Sequence, residues 1–157
     1  MINMMLHTGN QKGFTQNRLL ISVIIIAILI IGAIAVLNPV GLVSKTRNSQ
    51  RTKDVTILLT AIHKYKTDNK GMLPLGITSS EKQLGTCAAG GGTVCKGAAD
   101  TCLDLSVTLA KYLTSIPTDP NGGIAATTKY SVVSDANNVI TIKACATENS
   151  ETIQVSK

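Results

Sequence analysis

The chain has 157 residues, 15 Lys and Arg against 9 Asp and Glu, and a formal charge of +6. That length suits one domain with an appendage, and 44% hydrophobic against 15% charged residues excludes a wholly disordered chain. One Phe and no Trp exclude an aromatic stacking platform for single-stranded nucleic acid, and two His leave little material for a catalytic or metal site.

Residues 1–13 read MINMMLHTGNQKG, and residues 19–37 read LLISVIIIAILIIGAIAVL, in which Ser22 is the one hydroxyl and no residue is charged. As a helix this run measures about 28 Å, close to the hydrocarbon thickness of a bilayer. It is apolar on every face and is therefore no amphipathic surface helix. A buried core helix would need more surrounding protein than so short a chain supplies, so a membrane span is the expectation. An ordinary secretory signal places a small-residue cleavage site just after the apolar run. Here Leu37-Asn38-Pro39 follows, a poor site, and the span is expected to persist in the mature protein.

One long helix is predicted from about residue 14 to residue 69. Pro39 removes an amide donor and crowds the carbonyl of Ala35, and Gly32 and Gly41 weaken the helix on either side. A kink or local melting is therefore expected over residues 38–41. Beyond it, Val55, Leu58, Leu59, Ile62 and Tyr65 recur at helical spacing and define a packing face. Lys70-Gly71 should end the helix, with the glycine as the left-handed residue.

Residues 71–101 form a loop region rich in small residues, including Gly90-Gly91-Gly92. Leu103, Leu105, Leu109, Ala110 and Leu113 predict a short helix, and residues 115–122 (SIPTDPNG) a turn. Residues 129–133 and 139–144 alternate as strands around a turn at 134–138, and residues 152–155 are a candidate third strand. The fold expected is α+β, with the long helix packed on a small antiparallel sheet.

Cys87, Cys95, Cys102 and Cys145 all lie beyond the span, without C-x-x-C or zinc spacing. An even number outside the membrane predicts two disulfides with three pairings open; Cys87–Cys95 with Cys102–Cys145 is the preferred one. No metal and no cofactor are expected. His63 is a lone helix-surface histidine, no serine sits in a nucleophile motif, and Asp119 and Asp135 lie in turns where Asp bonds local backbone. The chain is not expected to be an enzyme.

The junction Lys12-Gly13-Phe14-Thr15 ahead of a long apolar helix resembles the type III signal of bacterial type IV prepilins and type II secretion pseudopilins. The stretches LNPVG, TAIHKYKTDNKGMLP and IPTDPNG before a Tyr-containing strand are similar to that family too. The resemblance implies a pilin-like fold and a division into a leader (1–13), an apolar assembly half of the helix (14–40), an amphipathic half (41–70), and a disulfide-stapled region (71–157) that forms the globular domain with the amphipathic half. It implies cleavage after Gly13 by a prepilin peptidase, N-methylation of Phe14, and storage in the cytoplasmic membrane with the N-terminus inside. Extracellular assembly with other pilin subunits by a platform protein and an ATPase would follow. The family usually carries Glu as the fifth residue after the cut, where this chain has Arg18. That cation cannot neutralise the new ammonium at Phe14 and repels it across one helical turn, which points away from a homopolymer and towards either a minor or tip subunit or a pairing of Arg18 with an unpartnered Glu on a different pilin.

Residues 45–70 carry seven Lys and Arg against Asp54 and Asp68. The positive-inside bias alone would turn this side to the cytoplasm; the cysteines and the leader favour the opposite orientation. On a helical wheel the basic residues scatter rather than form a stripe, so nucleic acid is the lesser partner. The function expected is a structural subunit of a type IV pilus or pseudopilus. The alternative is an uncleaved single-span surface protein whose ectodomain binds a ligand or DNA.

Overall fold

The computed structural model describes residues 16–37 and 39–157. Gly13 and Phe14, the expected processing site, lie outside the described residues. By internal contacts the chain divides into two compact units, residues 1–39 and 40–157.

The first unit contains helix α1, Gln16–Leu37, and the second is built on helix α2, Pro39–Asp68. Pro39 therefore stands first in α2, where a missing amide costs nothing because the first turn has no intrahelical partner for it. Asn38 is outside the described residues. Helix is present from Pro39 through Gly41, and the rest of the expected kink, at residue 38, lies outside the described residues. At the other end the Gly71 amide bonds the Lys66 carbonyl at 2.8 Å. This six-residue closure places Lys70, with φ of 55°, at the left-handed capping position, one residue earlier than expected, and Gly71 follows with φ of 87°.

Five strands follow: β1 Lys82–Leu84, β2 Ala99–Leu103, β3 Tyr130–Ser134, β4 Ile140–Ala144 and β5 Gln154–Ser156, in the spatial order β2-β1-β3-β4-β5. The three strands expected from alternation are present as β3, β4 and β5, paired antiparallel with Val132 opposite Ile142 and Ile142 opposite Val155. The sheet is mixed rather than antiparallel, because β1 and β2 run parallel. Strand β1 lies inside the stretch expected to be loop, and β2 begins inside it and ends at Leu103. Residues 85–98 bring the chain back to the start of β2, and a parallel return needs a connection of about that length. The short helix expected from residue 103 is instead a strand end followed by separate turns. Leu109 and Leu113 bond four residues back, while Ala110 and Tyr112 bond three back, and no continuous ladder forms.

The core sits between α2 and the sheet. Val55, Leu58, Leu59 and Ile62 from the predicted face are buried against Leu84, Tyr130, Val132, Ile140 and Ile142. Each such side chain contributes about 1.5–3 kcal/mol when fully buried. Leu105 and Leu109 are both buried in this core, so the helical spacing did identify their common face. Tyr65 is half-buried and meets Tyr112 edge to face at 6.2 Å.

Candidate functional site

In α1 the residues from Asn17 to Ile34 are long and apolar enough to cross a membrane, and none of them is buried. Leu29 and Ile31 are each 67% exposed, and exposed side chains occur on every face of the helix. The Ser22 hydroxyl donates to the Leu19 carbonyl at 2.8 Å, which satisfies the run's one polar side chain internally. The rod's single charge is Arg18, exposed in the first turn, where no acidic residue stands. A cation there faces the positive end of the helix dipole, and among the described residues Arg18 has no ion-pair partner. At Gly32 an added Cβ would meet nothing within 4 Å.

The globular unit is pinned by an ionic cluster that the sequence did not reveal. Arg51 on α2 is fully buried. Its guanidinium forks onto Asp119, with Nε to Oδ2 at 2.6 Å and Nη2 to Oδ1 at 3.0 Å. Its remaining nitrogen donates to Asn48 Oδ1 at 2.6 Å and Glu148 Oε2 at 3.1 Å. Arg47 holds the other Glu148 oxygen at 2.9 Å, and Asn48 clasps the Glu148 backbone through both its amide atoms. The hydrogen bonds that Arg51 donates to Asp119 raise the Arg51 pKa against its desolvation. Burial pushes the Glu148 carboxyl up, but hydrogen bonds from Arg47 and Arg51 outweigh it and hold the group below its ordinary value.

Asp119 is delivered by the predicted turn and does accept a local bond, from the Asn121 amide at 2.8 Å. A Cβ on Gly123 would collide with the Asp119 backbone, so this turn admits only glycine there. Asp135 likewise caps its own turn, accepting from the Asn137 and Val139 amides at 2.8 Å. Beside the cluster, buried Tyr130 donates to Asp54 Oδ2 at 2.7 Å, and burial with that bond pushes its phenol well above the ordinary value. Arg47 and Arg51 are thus structural, not part of a solvated basic surface. Lys45, Lys53 and Lys64 are exposed.

All four cysteines are paired, as Cys87–Cys102 and Cys95–Cys145. The expected pairing, Cys87–Cys95 with Cys102–Cys145, does not form, because the chain beyond β1 lies alongside β2. Gly85 donates to Leu103 and Cys102 to the Cys87 carbonyl, which sets the Cα atoms of 87 and 102 at 5.0 Å. The glycine run packs closely: a Cβ at Gly91 would come within 2.7 Å of the carbonyl oxygens of Ala99 and Asp100.

His63 lines an open groove of about 420 Å³ with Leu59, Lys64, Asp68, Tyr112 and Lys157. Its Nε2 is buried without a partner, and burial, followed by the charge of Lys157, lowers its pKa. Asp68 in that groove is held low by hydrogen bonds from Lys111 and Tyr112. Among the described residues no three His, Cys, Asp or Glu side chains gather as metal ligands would.

Comparison with family models, with curated proteins and with solved structures gives no match.

Proposed function

We propose that this chain is a pilin-like structural subunit, minor or at the tip, of a type IV pilus or a pseudopilus. Cleavage after Gly13 exposes Phe14 for methylation. The apolar α1 then holds the subunit in the cytoplasmic membrane, N-terminus inside, until a platform protein and an ATPase draw it into a bundle of like helices. The observation that carries this reading is a rod whose residues 19–34 are uncharged and exposed, directly preceding a helix whose apolar face is committed to a disulfide-stapled sheet. A run so apolar and exposed supports lipid and other helices as its partners. The globular unit carries two disulfides, and such bonds persist in oxidising compartments, which supports the outward orientation against the positive-inside bias.

The experiment is fractionation of cells that make the protein. The chain should occur in the membrane and in filaments sheared from the surface, and Gly13→Val should leave it uncut and confined to the membrane. A wild-type chain that stays full-length in the membrane, and is missing from filaments, would refute the reading.

A further inference from the structure

Residues 1–53 contain Lys12, Arg18, Lys45, Arg47, Arg51 and Lys53 but no Asp or Glu, so the entire formal charge of +6 resides there and residues 54–157 are neutral in sum. Within the globular unit Arg47 and Arg51 are neutralised by Glu148 and Asp119. Arg18 has no such partner among the described residues, and it falls inside the stretch long and apolar enough to span a membrane.

A second copy cannot supply the missing carboxylate. Parallel copies bring Arg18 against Arg18. The first acid along the same chain is Asp54, 36 residues further on. That carboxylate is buried and already bonded by Tyr130 and Gln50. Lipid headgroups can satisfy Arg18 only while the helix is in a membrane. In a bundle of helices drawn out of lipid, the cation would be desolvated beside its own kind, and ionisable groups in such surroundings pair with opposite charges.

We propose that α1 packs against the apolar helix of a different chain that carries an aspartate or glutamate at the depth of Arg18. This chain is the cationic half of a charge-matched pair of helices. The proposal rests on the filament reading for the side-by-side arrangement.

The test uses the full chain in neutral phosphatidylcholine vesicles, with donor- and acceptor-labelled copies and Arg18→Glu of this chain as the probe helix. Wild type should associate with Arg18→Glu about threefold to tenfold more tightly than with itself. Arg18→Gln should fall between, which identifies charge rather than shape as the cause. Equal association of wild type with itself and with Arg18→Glu overturns the proposal. So does a rise of wild-type self-association to the mixed-pair level on adding phosphatidylglycerol, because headgroups then suffice. Filaments built of this chain alone would overturn the pairing and the minor or tip position, and leave the filament reading itself intact. An uncleaved Met1 together with charge-selective pairing would overturn the filament reading and leave the pairing intact.

Discussion

Replacing Arg51 with Met leaves the Asp119 carboxylate in place with its strongest partner gone. Both side chains of this pair are 0% exposed, so water cannot take over the two bonds at 2.6 and 3.0 Å. Removing one member of a buried ion pair costs about 3–5 kcal/mol, mostly for stranding the other. Against a total stability of about 5–15 kcal/mol, that is a large fraction, and it raises the unfolded population roughly a thousandfold. Guanidinium denaturation followed by far-ultraviolet circular dichroism measures it. Arg51→Met with Asp119→Leu should recover most of the loss, because no unpaired charge remains, while Glu148 keeps Arg47 at 2.9 Å. A loss below about 1 kcal/mol for Arg51→Met, the range of an exposed pair, would refute the claim that the cluster is desolvated.

Peptide mapping without reduction should recover 87 joined to 102 and 95 joined to 145. Removing the bridge that spans 50 residues should destabilise by about 4 kcal/mol, against about 3 kcal/mol for the bridge that spans 15; the reverse order would contradict the loop-length argument. His63 predicts a pH dependence: its folded pKa lies below 6.5, so the unfolded chain binds the proton more readily. Stability is therefore complete above the unfolded value and declines as pH falls through 6.5 towards the lower folded pKa. His63→Leu should abolish that decline, and thermal melts across this window check it. Glu148 has a separate, more acidic window. Its depressed pKa gives stability that is present above 4.5 and lost as pH falls through the folded value.

The elements legible in the sequence were those whose pattern is local. A charge-free run marked α1, spacing at 55, 58, 59 and 62 marked the buried face of α2, and alternation around Asp135 marked β3 and β4. Strand β1 has three residues, and β2 (ADTCL) presents exposed polar positions, so neither carries a periodic signal inside a glycine-rich stretch. Their parallel pairing is a matter of topology, and it decided which cysteines meet. Arg51 was equally opaque. Its partners lie 68 and 97 residues away, and Asp119 sits in a turn where a local role explained it fully. The helical spacing of Leu105 and Leu109 gave the right face but the wrong element, since single turns place residues four apart on one side as well as a helix does.

The central claim is that α1 is freed by a cut beside it to serve as membrane anchor and polymer core. Mass spectrometry of the N-terminal peptide, taken from the protein in its own cells, tests this most directly. The account predicts a chain that begins at Phe14 and carries one N-methyl group. A peptide that begins at Met1 would contradict it.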